Sequence, residues 1–253
     1  MLRKDLPSEV TELMTASYAK GTQNSYNVYL NKWETFCANN SISSSQGTYQ
    51  EGMPFFAELY NKDAKYGYVA AARSALSAVL PKQNSMTFGK CEEVSRMLKG
   101  IFRLRPRLPR YTVIYDPEII LKYMISLPNN KFLDLELLVK KLVTLLCLLS
   151  AQRAQTITAL RMDFCHKSEE AITFYIPSIL KTTKPGKHQE PLIFRPFPDN
   201  GKICIINCIK EYFARKDQIR ENLDREPQNL ILSYAHPHRP VVVATIARYS
   251  EAI

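Results

Sequence analysis

The sequence predicts a mainly α-helical protein with a small β-hairpin, divided into two domains. Three observations carry this. The chain has 253 residues but only 8 glycines, and apolar residues recur at the 3.6-residue period over most of its length. Residues 171–197 break that period, with β-branched and aromatic residues on either side of a Pro-Gly turn. Near the middle, IFRLRPRLPRY interrupts the helical pattern with two prolines, which block helix continuation.

The first helix is expected from about Ser8 to Met14. The second follows Thr22 and sets Tyr26, Tyr29, Leu30, Trp33 and Phe36 at helical spacing, ending at Asn39-Asn40. These aromatic residues are read as core rather than as base-stacking groups. After the polar loop SISSSQ, a third helix runs from about Thr48 to Tyr60. The fourth, Tyr66 to Leu80, reads YGYVAAARSALSAVL; its small residues permit close helix approach and make it the centre of a bundle. A fifth spans Glu92 to Phe102. Residues 1–102 thus form one helical domain, 103–115 a basic linker, and 116–253 a second domain. That domain opens on Asp116-Pro117-Glu118, an N-cap followed by proline and an acid in the first turn. Leu135 to Leu149 is apolar nearly all round and predicts a buried helix. SAQRAQTITALR is a polar turn that re-enters helix. AITFYIPSIL and PLIFRPF predict two strands joined by the basic turn KTTKPGKHQE. Helix returns from Lys202 to Arg220 and again at TIARYSEAI.

Composition is globular, at 45% hydrophobic and 23% charged residues. The net charge of +10 points to a polyanionic partner. Residues 1–110 hold 15 Lys and Arg against 9 Asp and Glu, so the excess is densest in the first domain and linker. Arg103, Arg105, Arg107 and Arg110 in the linker are the candidate phosphate contacts. A membrane partner is not expected, because no apolar run approaches the roughly 18 residues a spanning helix needs. MLRKDLPSEV lacks an apolar signal region, so an intracellular protein is expected, nuclear if its host is eukaryotic. The six cysteines form no CxxC pair and are read as reduced, buried thiols. Cys204 and Cys208 lie four apart, but no second pair of ligands matches them, so neither a metal nor another cofactor is expected.

Arg153 follows the buried helix within the polar turn Ser150-Ala151-Gln152. Its guanidinium offers five donors and a permanent charge, which suits a phosphate; the bland alternative is a carbonyl cap or an ion pair. Lys181, Lys184 and Lys187 crowd the turn between the two strands. A lysine on such a turn can reach over a phosphodiester and protonate a leaving oxygen.

With these segments in hand, the chain resembles the tyrosine recombinases, or phage-integrase-type recombinases, and is most similar to those of eukaryotic mobile elements. LLSAQRAQTITALRMDF resembles the segment that carries the family's first catalytic arginine, which implies that role for Arg153. ITFYIPSILKTTKPGKHQEPLIF resembles its β-hairpin and implies a catalytic lysine at Lys184 or Lys181. CIINCIKEYFARKDQIR resembles the helix after the hairpin, and SYAKGTQNSYNVYLNKWETFC with YVAAARSALSAVL resembles the N-terminal core-binding (SAM-like) helical bundle. The resemblance implies an α+β catalytic domain in residues 116–253 and a clamp of both domains on double-stranded DNA, with assembly as a homo-oligomer. Its reaction is DNA strand transfer through a 3′-phosphotyrosine, with two arginines on the non-bridging oxygens and no metal. One departure is Thr156, where many members carry an acid.

The family also needs a His-x-x-Arg at a helix start and then the nucleophile. His236-Pro237-His238-Arg239 matches literally, with Tyr249 ten residues on, but Pro237, Pro240 and three valines predict a loop or extended chain there. The stretch ILSYAHPHRPVVVATIARY resembles what precedes the true motif. The expectation is therefore a truncated, catalytically incomplete recombinase that retains DNA binding, with no nucleophile of its own. A non-catalytic DNA-binding or protein-interaction module derived from a mobile element is the alternative. A helical protein-binding domain is a further one, opposed by the charge and the arginine run.

Overall fold

The computed structural model describes residues 7–106, 116–221 and 228–251. The chain divides into two units, Met1–Thr112 and Val113–Ile253. Helices dominate both, and the sheet present among the described residues is small, antiparallel and three-stranded.

The first unit contains α1 (Ser8–Ala16), α2 (Lys20–Asn39), α3 (Tyr49–Asn61), α4 (Tyr66–Val79) and α5 (Glu92–Leu104), with a 3-10 turn at Phe88–Lys90. α3 starts with a capping box: the Thr48 hydroxyl accepts from the Glu51 N–H at 3.3 Å, and the Glu51 carboxylate accepts from the Thr48 N–H at 2.7 Å. These bonds hold the Glu51 carboxyl below its ordinary pKa. α4 packs against α2, α3 and α5, with Ala72, Ala75 and Leu76 fully enclosed, so its small residues do allow close approach. Trp33 is 1% exposed, its indole N–H donates to the Ser44 carbonyl at 2.9 Å, and its ring packs on Phe36 and Phe55. The aromatic face of α2 is thus core, as its spacing predicts.

α5 runs two residues further than the sequence indicates. Arg103 and Leu104, read as linker, remain helical. The stop comes at Arg105, whose φ of −132° and ψ of 74° are non-helical, because the Pro106 ring disfavours helical backbone in the residue before it.

The second unit holds α6 (Pro117–Ser126), a 3-10 turn at Asn130–Phe132, α7 (Leu135–Ser150), α8 (Ala154–Thr158), β1 (Cys165–Lys167), β2 (Ile172–Phe174), β3 (Leu192–Phe194), α9 (Ile205–Glu221) and α10 (Val243–Glu251). Asp116 caps α6 with Pro117 at its first position, and the Asp134 carboxylate caps α7 by accepting from the Leu137 N–H at 2.7 Å. α7 is the spine, enclosed between α9 and α10, with Leu138, Val139, Leu142, Val143 and Leu146 wholly buried. The sheet order is β1-β2-β3, in the register Cys165↔Phe174 and Ile172↔Phe194. Ile172, Phe174, Leu192 and Phe194 turn to the core while Ile193 faces out, the alternation a half-buried strand requires. The predicted hairpin is therefore present as β2 and β3, and β1 is an addition that the sequence does not signal.

Candidate functional site

α7 ends at Ser150, and Ala151 reverses the chain in a left-handed conformation, φ 50°, with its N–H on the Cys147 carbonyl at 3.0 Å. The next residue but one, Arg153, is extended and caps α8: its carbonyl accepts from the Thr156 N–H at 2.8 Å. The backbone on both sides is therefore fixed. The Arg153 guanidinium is exposed and makes no hydrogen bond or ion pair with the described residues, so neither bland role, carbonyl cap or ion pair, is filled. Thr156, where the resemblance expects an acid, is buried and its hydroxyl donates to Gln152 Oε1 at 3.3 Å. No carboxylate at that position competes for Arg153.

The hairpin tip is the turn Lys184-Pro185-Gly186-Lys187. Proline sets the second position, and Gly186 at φ +74° supplies the third, where a side chain would be strained. The Lys187 N–H donates to the Lys184 carbonyl at 3.0 Å, which pairs the two lysines across the turn. This turn and the α7–α8 corner enclose an open cleft of about 500 Å³. Arg153, Lys184 and Lys187 line it, together with His188 and Glu190. Lys181 does not line it, so of the two lysines the sequence leaves open, Lys184 is the one that shares space with Arg153. His188 and Glu190 are cleft residues that sequence reasoning missed. The signal for His188 was its place directly after the paired lysines; nothing in the local pattern marks Glu190.

The linker arginines separate. Arg103 is exposed in the last turn of α5. Arg105 is engaged within its own unit: its guanidinium donates to the Tyr60 carbonyl at 2.7 Å, lies 3.9 Å from the Tyr60 ring centroid and approaches Asp63 at 3.3 Å. Arg107 and Arg110 lie outside the described residues.

The literal His-x-x-Arg match forms a loop, with His238 at φ 55° and α10 starting only at Val243. Arg239 and Tyr249 line a second cleft, together with Lys140 of α7, and that cleft shares no residue with the first. Lys140 and Ser150 are ten residues apart on α7, or about 15 Å at 1.5 Å per residue. Tyr249 is 8% exposed, and burial, helped by the neighbouring Tyr234, holds its phenol above the ordinary value.

Cys204, just before α9, and Cys208, in its first turn, are buried, and burial pushes the Cys208 thiol up to about 12. Among the described residues no group of three or more His, Cys, Asp or Glu side chains comes together as a metal site. Among the same residues no helix is long and apolar enough to cross a membrane. No known family description matches the chain, and no curated protein matches it.

Proposed function

We propose that this chain binds double-stranded DNA through its phosphates, as a protein of the tyrosine-recombinase type used by mobile elements for DNA recombination and integration. The observation that carries the reading is the cleft in which an unpaired Arg153 meets Lys184 and Lys187. In this reading Arg153 offers its planar fork to the non-bridging oxygens of a backbone phosphate. Lys184 reaches the bridging oxygen from the turn. The helical first unit, with Arg103 at the end of α5, adds sequence-independent charge. The described residues lining the cleft include no tyrosine, and in this reading the chain holds a phosphodiester without forming a covalent adduct.

The test is a salt titration of duplex binding, run beside an adduct assay with a nicked suicide duplex. Expected is a log–log dependence of affinity on salt that falls by about two contacts when Arg153→Ala and Lys184→Ala are combined. No band should shift on a denaturing gel. Affinity indifferent to salt would remove DNA from the reading, and a covalent adduct would show that a nucleophile does reach the cleft.

A further inference from the structure

The second cleft has no role in the reading above, yet it is built like an anion site. It measures about 450 Å³ and lies against α10 and the 233–242 loop. Among the described residues that line it are Lys140, Ser233, Arg239, Thr245, Arg248 and Tyr249, and none of those described is Asp or Glu. The three cations differ. Lys140 is held by Glu136 at 2.7 Å, so its charge is already answered. The Arg239 guanidinium makes no hydrogen bond or ion pair with the described residues, and Arg248 makes only a long 3.4 Å contact to the Thr245 hydroxyl. Arg239 and Arg248 thus line one cavity, and the carboxylate beside it, Glu136, is already taken up by Lys140.

The loop that carries Arg239 is fixed. The Ser233 N–H donates to the Arg239 carbonyl at 2.9 Å, the Ala235 N–H to Ser233 Oγ at 3.1 Å, and the His238 N–H to the Ala235 carbonyl at 3.0 Å. His238 Nδ1 also lies 2.9 Å from the Ser233 carbonyl. Arg239 is therefore presented on a set frame, as Arg248 is by α10. Two arginines on the wall of one cavity, neither held by a carboxylate among the described residues, favour an anionic ligand that answers both. Planar guanidiniums with hydroxyl donors beside them match the oxygens of a phosphate better than a single carboxylate. Tyr249 is a neutral phenol at neutral pH, as tyrosine ordinarily is, and its hydroxyl can donate.

We infer that this cleft is a second phosphate-binding site, with Arg239 and Arg248 as its recognition pair. The phosphate belongs either to a small molecule or to a nucleic-acid backbone, and the test separates the two. In a parent that carries Arg153→Ala and Lys184→Ala, so that the first cleft is disabled, binding of inorganic phosphate is followed by 31P NMR. Binding of a 20-base-pair duplex is followed across salt. Phosphate binding is expected to persist in this parent and to weaken at least tenfold when Arg239→Gln and Arg248→Gln are added; both side chains are exposed, so the thermal melt should not move. A salt slope that also falls with these changes assigns the site to DNA, and an unchanged slope assigns it to a small phosphate. Phosphate affinity equal in parent and quadruple variant overturns the inference. So does capture of a glutamate-rich peptide without any response to phosphate, which would make the cleft a protein-docking site. Loss of duplex binding already in the parent, with phosphate binding kept, likewise assigns the site to a small phosphate.

Discussion

Arg105 separates the two ways an arginine run can be read. As a run, Arg103 to Arg110 looks like one phosphate-binding strap. In the structure Arg105 instead finishes α3, donating to the Tyr60 carbonyl at the C-terminal end of that helix and stacking on the Tyr60 ring. The ion pair with Asp63 adds little, because that carboxylate is 93% exposed. A charged hydrogen bond contributes about 1.5–3 kcal/mol when its donor is removed, and a partly exposed cation–π contact about 0.5–1 kcal/mol. With the guanidinium 35% exposed the lower ends apply, so Arg105→Gln should destabilise the first unit by about 2 kcal/mol. For a unit of this size that is a fall in Tm of about 10 °C. Differential scanning calorimetry of the full chain should show the first unit's transition move while the second stays. Arg103→Gln is the matched control: exposed and unpaired, it should leave the melt within about 0.5 kcal/mol and reduce the salt slope of DNA binding instead. Should Arg105→Gln melt like the parent and flatten the salt slope, the strap reading would be right and the clamp reading wrong.

Three further outcomes follow from particular contacts. Gly52→Ala would ordinarily favour α3, but its new Cβ would run into the Phe88 ring, itself 3% exposed and unable to retreat; urea unfolding should show a net loss of about 1–3 kcal/mol. Arg215→Lys keeps the charge and loses the fork that donates to the Asn130, Lys131 and Leu133 carbonyls at 3.0, 2.7 and 2.5 Å, and should cost the second unit about 2–4 kcal/mol in the same assay. Cys208 has a folded pKa raised by burial from 9.0 to about 12, so folding favours its protonated form. That contribution is whole below pH 9 and is lost as pH climbs towards 12. A Cys208→Ala variant should therefore show a shallower decline of stability over that alkaline window than the parent, whatever its stability at neutral pH.

The features legible in the sequence are those decided within one turn of chain. The cap at Asp116 sits where its hydrogen bond forms, and the Pro-Gly turn lies where β2 and β3 must reverse. Features decided by distant partners were not legible. β1, Cys165-His166-Lys167, has no alternating apolar pattern and is a strand because the edge of β2 is there to pair with it. Lys140 and Lys141 look alike in LVKKLV, yet a 100° step around the helix sends one to Glu136 at the surface. The other is fully buried, with its ammonium on Asn130 Oδ1 at 2.9 Å and its pKa lowered by that burial. The first cleft was half legible. Arg153 and the lysine turn came from local pattern and family resemblance, but the choice of Lys184 over Lys181 depends on how the turn folds back toward the α7–α8 corner.

In the proposed reading, the placement of Arg153 and Tyr249 in different clefts leaves the Arg153 cleft without the tyrosine that strand transfer needs. An in-line attack on a phosphate requires the nucleophile within about 3–3.5 Å of phosphorus while the arginine still holds the equatorial oxygens. Arg153 lies just past the C-terminal end of α7 and lines one cleft, while Tyr249 lines the other, on an α10 anchored by Ile246 and Tyr249 in the core. In the proposed reading, charge stabilisation without a nucleophile in the cleft gives binding rather than turnover. Tyr249→Phe should accordingly leave the absence of adduct as it is, and should cost a modest amount of stability through the phenol's contact with Ser233. If Tyr249→Phe abolished an adduct seen with the parent, α10 would have to leave the core to act, and the core would have to tolerate its departure.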